Sequence, residues 1–94
     1  FYFMAASIDS SDNFILYAGD STSPTVVTGT GAGRQVSTRK MSVGNVHYPD
    51  PTNFDGDTFA CEAIFFNSAK TQAELAAIYS RSVSRMSARN ITLQ

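Results

Sequence analysis

The chain has no tryptophan, a single cysteine and a single histidine, and few charges. Cys61 alone cannot close an internal disulfide, and one thiol cannot found a zinc framework, so redox compartment stays open. His47 has no nucleophile-elbow motif near it to suggest a hydrolytic triad, and a solvated loop histidine is the plainer reading. Charged residues are 16% of the chain and the formal net charge is −1, which leaves no global field to draw in nucleic acid or an anionic membrane. The longest apolar runs, such as Ala63 to Phe66, fall far short of the ~20 residues of a membrane span. No secretory leader is visible. The start at Phe1, without a methionine, predicts processing, excision from a longer chain, or incomplete representation of one.

What remains is 94 residues, enough for one small domain, of which 43% are apolar. Seven Phe and four Tyr supply the large core pieces. Phe1 to Ile8, Phe14 to Tyr17 and Thr25 to Thr28 read as strands, rich in aromatic and β-branched residues. Between the first two lies Asp9-Ser10-Ser11-Asp12-Asn13, a cluster whose short polar side chains bond nearby backbone, so the pair predicts an antiparallel hairpin. Gly29 to Gly33 (GTGAG) reads as a flexible surface loop. It lacks both a lysine and the strand-loop-helix setting of a phosphate cradle.

Met41 to Val46 alternates as a strand with one buried face. His47 to Asn53 is a loop stiffened by Pro49 and Pro51. Thr58 to Phe66 predicts the strongest strand, apolar on both faces and so central and covered on both sides, with Glu62 the exception. Thr71-Gln72-Ala73-Glu74 has the spacing of a capping box and opens a helix. Leu75, Ile78, Tyr79, Ser82, Val83 and Met86 fall on or near one face of it, with Arg81, Arg85 and Arg89 on another. Asn90 is the expected stop, and Ile91 to Gln94 a short last strand or a fraying end. Five or six closely spaced strands and one late helix suit an antiparallel sandwich better than βαβ units.

In order, these pieces resemble the second half of a concanavalin A-like, LamG-type (laminin G-like) jelly-roll domain. Phe1-Tyr2-Phe3-Met4-Ala5-Ala6-Ser7 is similar to the strand that usually opens with Trp. Leu16-Tyr17-Ala18-Gly19-Asp20 resembles the family's "lYvDG" hairpin end, with the last two residues swapped, and Met41-Ser42-Val43-Gly44 its "l.iG" strand. Phe54-Asp55-Gly56-Asp57 through Glu62-Ala63-Ile64-Phe65-Phe66-Asn67 resembles "F.G.I.EV.iyN", and Lys70 to Leu75 with Ile78-Tyr79 resembles "Ls.aEi..ly". Departures are Lys70, where the family has an aliphatic residue, two extra residues between Gly56 and Glu62, and everything from Ser80 on. The resemblance implies an all-β antiparallel jelly-roll β-sandwich with one C-terminal helix. Residues 1–79 would form its C-terminal part, including the closing helix, and residues 80–94 a helical extension and tail. It further implies that other copies of the chain, or N-terminal strands missing from it, complete the sandwich, because open edges and apolar faces invite association.

The functional candidates lie in one loop region. Asp50, Asp55 and Asp57 are hard oxygen donors that could hold Ca2+, which related domains often bind; their spacing lacks EF-hand order, and ordinary turn chemistry is the competing reading. Asp9, Asp12 and Asn13 are a lesser candidate of the same kind. Tyr48, with Asn45, Asp50 and Asn53 as polar neighbours, could stack on a sugar ring and bond its hydroxyls; packing over a sheet edge is the alternative. Glu62 lacks the second carboxylate that glycoside hydrolysis needs, which favours a structural role. Cys61 reads as a small apolar strand residue, and the arginines as a solvated helix face. Asn90-Ile91-Thr92 fits a glycosylation sequon, relevant only in a eukaryotic secretory setting. The expectation is therefore a non-catalytic module of an extracellular or virion surface protein, acting in adhesion or glycan binding. It requires no cofactor, with Ca2+ optional, engages no nucleic acid and does not insert into a membrane. The alternative is a structural or assembly protein of a phage virion that packs against copies of itself.

Overall fold

Three short runs separated by turn residues in the first thirty positions produce a meander. In a computed structural model that describes residues 1–19, 23–33 and 60–93, β1 (Phe3–Ile8), β2 (Asn13–Gly19) and β3 (Thr25–Thr30) form an antiparallel sheet in the order β1-β2-β3. A single helix, α1 (Gln72–Ser87), follows among the described residues. The chain divides into two units, Phe1–Arg34 with Phe66–Gln94, and Gln35–Phe65. The sheet and helix belong to the first.

The β1–β2 connection is built by Asp9. Its Oδ1 accepts from the N–H groups of Ser11 (2.8 Å) and Asn13 (3.0 Å), and its Oδ2 from Asn13 Nδ2 (2.9 Å). Asp12 takes the left-handed conformation, φ 62°, that short polar residues tolerate best after glycine. Asn13 Oδ1 then accepts from Thr30 Oγ1 at 2.9 Å, tying the turn to β3. Register follows: Ala5 lies opposite Tyr17, and Tyr17 opposite Val26.

Period-two alternation divides the sheet into two faces. One carries Phe3, Ala5, Ile15, Tyr17 and Val26, and packs against Leu75, Ile78 and Tyr79 of α1. Phe3 meets Tyr17 and Tyr79 edge-on, with ring centroids 6.0 and 5.5 Å apart. Gly19 makes room for this cluster. A Cβ there would sit 2.6 Å from Tyr79 Cδ2.

The helix starts where its capping box stands. Glu74 N–H donates to Thr71 Oγ1 (3.2 Å) and Thr71 N–H donates to Glu74 Oε2 (2.7 Å). Leu75, Ile78, Ser82 and Met86 are buried, at helical spacing. Ser82 Oγ accepts from Arg85 Nη2 at 3.0 Å, so this buried hydroxyl is satisfied. The last turn closes as a Schellman motif: Asn90 N–H donates to the Ser87 carbonyl and Ile91 N–H to that of Met86, both at 3.0 Å, around Asn90 at φ 58°. The helix runs without a break through Tyr79 and Ser80.

Several expectations need correction. β1 begins at Phe3, not Phe1, and β2 extends to Gly19. β3 includes Gly29 and Thr30, which glycine content had suggested were loop. Gly29 stays in the strand because the Phe14 ring lies across it from the paired position; a Cβ would meet Phe14 Cζ at 2.7 Å. The central strand predicted at Thr58 to Phe66 is not formed over its described part, Ala60 to Phe66, where Ile64, Phe65 and Phe66 are exposed. An apolar run becomes a strand only when a neighbour supplies its ladder, so apolar content alone does not decide the matter. Ile91 to Leu93 is likewise not a strand. The strand expected at Met41 to Val46 lies outside the described residues. What stands is a three-stranded antiparallel sheet with one helix on one face.

Candidate functional site

The sugar-binding candidates Asn45, Tyr48, Asp50 and Asn53, the calcium candidates Asp50, Asp55 and Asp57, and His47 all lie outside the described residues. Of the lesser calcium candidates, Asp9 already spends its carboxylate on the turn's own N–H groups, so chain geometry accounts for it. No group of three or more His, Cys, Asp or Glu side chains converges among the described residues. Glu62 is exposed and Cys61 is half-buried with a free thiol. Arg81 and Arg85 on the helix and Arg89 in the turn after it are exposed. Among the described residues, no helix is long and apolar enough to cross a membrane.

Lys70, where the resemblance expects an aliphatic residue, serves as a clasp instead. Its backbone N–H donates to Ser7 Oγ at 2.7 Å, pinning the approach to the helix onto β1. Its ammonium donates to Ser68 Oγ at 2.8 Å and stands 4.9 Å from the Phe66 ring centroid. Nearby, the Thr71 backbone N–H, then the Thr71 side chain, hold the Glu74 carboxyl below the ordinary glutamate range, with a smaller push from Lys70.

The sequence led to an expectation of apolar faces open to association without locating them; the second face of the sheet is one such surface. With α1 on one side, the other presents Met4, Ala6, Leu16, Ala18, Thr25 and Val27 around an open depression of about 410 Å³. Met4 is 80% exposed, Leu16 48% and Val27 51%. The face carries no charge: its remaining members, Ile8, Phe14 and Gly29, continue it in register. The signal was present as the other parity of each strand. Both parities of β1 and β2 are largely apolar, so each strand offers apolar side chains to both faces of the sheet.

No protein-family model, curated protein or solved structure matches the chain.

From the pleat dimensions, three strands of six residues cover roughly 15 by 20 Å, on the order of 300 Å². A patch of that size, apolar and continuous, is comparable to the largest on ordinary monomers, and such patches are often functional. It offers no hydrogen-bonding side chain except Thr25 and no titratable group, so its chemistry is to exclude water against another apolar surface.

Proposed function

We propose that the chain is a non-catalytic LamG-like β-sandwich module of an extracellular or virion surface protein, and that it works by packing its open sheet face against a second sheet. The observation that carries this reading is the uncharged face of Met4, Ala6, Leu16, Ala18 and Val27, exposed opposite the helix-covered face. In a jelly roll the second sheet stands at about 10 Å and interdigitates its side chains with such a face. Copies of the chain, or strands from outside residues 1–94, supply that sheet. This supports a structural role in an assembly. Light scattering on the purified chain tests it: Leu16→Lys with Val27→Lys lowers the mass of the associated species while helix and sheet content hold. Unchanged association in that variant refutes it.

Adhesion or glycan binding is the second mode, supported by the composition of residues 45–53, where Tyr48 precedes Pro49 in a sequence that also holds Asn45, Asp50 and Asn53. A glycan array in which binding disappears on Tyr48→Ala supports this mode. A silent array removes it.

A further inference from the structure

Face packing alone is weak. Closing two such faces on each other removes on the order of 600 Å² from water, about half of what a stable interface needs. A wider face requires a wider sheet, and a sheet widens at its edges. Among the described residues β1 and β3 are the outer strands. β1 is flanked at Ser7 by the Lys70 backbone and at Phe1 by the Thr92 carbonyl, 3.5 Å from the terminal ammonium. Among the described residues β3 has no such neighbour, and the helix lies over β2.

The ladder shows which β3 groups are spent. Gly31 N–H donates to the Asp12 carbonyl at 2.8 Å, which makes Asp12 and Gly31 a hydrogen-bonded pair. Asp9 N–H donates to the Asn13 carbonyl at 3.0 Å, so Asn13 bonds toward β1. Both observations give the same alternation: Thr25, Val27 and Gly29 bond inward to β2, and Val26, Thr28 and Thr30 direct N–H and C=O outward. The edge has none of the usual guards. From Thr25 to Thr30 (TVVTGT) there is no lysine, other charge or proline, and β-branched residues favour pairing.

We propose that β3 pairs antiparallel with β3 of a second copy about a two-fold axis at Thr28, merging two sheets into one; this rests on the assembly reading above. Thr28 stands opposite Thr28 of the second copy, and Val26 opposite its Thr30. These are the outward-facing residues, and each such pair exchanges two N–H···O=C bonds. Their side chains fall on the helix side of both sheets. Val27 falls opposite Gly29 on the open side, so the two apolar faces join without a break into one of roughly 600 Å². No like charges meet, and the contact is isologous and closes on itself.

The test is sedimentation velocity and amide hydrogen exchange on the full chain from ~10 μM to ~1 mM, the range expected of a small interface. Dimer mass grows with concentration, and the amides of Val26, Thr28 and Thr30 become protected with it. Thr28→Pro removes an outward N–H that β2 does not use, which edge strands tolerate, and abolishes the dimer. Thr28→Lys, should the proline variant unfold, sets two ammonium groups opposite each other and also yields monomer. A dimer that survives both substitutions overturns edge pairing. So does a wild-type chain that stays monomeric throughout. In either case the open face stands or falls separately, on whether Leu16→Lys with Val27→Lys alters association.

Discussion

Gly19→Ala probes the docking of helix on sheet at its tightest point. The added Cβ would meet Tyr79 Cδ2 at 2.6 Å, Cε2 at 2.8 Å and Cγ at 3.0 Å. Ordinary contact begins near 3.4 Å, so the ring must retreat by about 0.8 Å (3.4 minus 2.6). It cannot swing away freely, because the Phe3 ring packs against it at 5.5 Å and Tyr79 packs on the Tyr17, Leu75 and Ile78 cluster. Overpacking of this kind costs about 1–3 kcal/mol. Replacing glycine returns ~0.4–1 kcal/mol by restricting the unfolded chain. The net loss is about 1–2 kcal/mol, which lowers the melting temperature by roughly 5–15 °C for a domain of this size. Thermal unfolding followed by circular dichroism reads it directly. In a Tyr79→Ala background the same substitution becomes neutral or stabilising, and the double-mutant cycle gives the coupling. A Gly19→Ala chain as stable as wild type, or equal losses in both backgrounds, would show that Tyr79 does not rest on Gly19.

Further outcomes follow from the same geometry. The Glu74 carboxyl is held below its ordinary pKa in the folded chain, so its contribution is fully present above the unfolded value and is lost as pH falls through the folded one; Glu74→Gln flattens that acid limb in pH-dependent unfolding. Thr71→Ala removes the acceptor for Glu74 N–H and costs about 1 kcal/mol by denaturant titration. Asn90→Gly keeps or slightly raises stability, because φ 58° suits glycine, whereas Asn90→Ala lowers it by about 1 kcal/mol. Asp9→Ala speeds hydrogen exchange at Ser11 and Asn13, whose N–H groups donate to the Asp9 carboxylate in the wild-type chain, while the α1 amides keep their protection.

Local signals were legible and non-local ones were not. The Asp9 turn and the Thr71–Glu74 box involve residues within four positions of one another, so composition and spacing revealed both. The buried helix face followed from its period, through Leu75, Ile78, Ser82 and Met86. Gly29 misled because glycine's strand propensity is poor, and only the register shows the Phe14 ring covering it. Gly19 under Tyr79 joins positions sixty residues apart, which no local pattern announces. Ala60 to Phe66 misled in the opposite direction: its apolar content resembles a central strand, but a ladder needs a neighbour as well as a sequence. The open face was written in the other parity of β1 and β2, and became visible only once α1 was seen to cover a single side. The candidates from Asn45 to Asp57 are legible as chemistry alone, since their placement lies outside the described residues.

The most direct measurement of a sheet covered on one side and open on the other is the oxidation of its methionines. Met4 stands on the open face, 80% exposed, and Met86 lies on the buried side of α1, 1% exposed. With dilute peroxide and peptide mass spectrometry on dilute chain, Met4 converts to the sulfoxide much faster than Met86. Met4 then becomes protected as protein concentration or an added partner assembles the sheet. Equal rates for Met4 and Met86 in dilute solution, or a Met4 that stays equally reactive in the assembled state, would contradict the open face as the working surface of this chain.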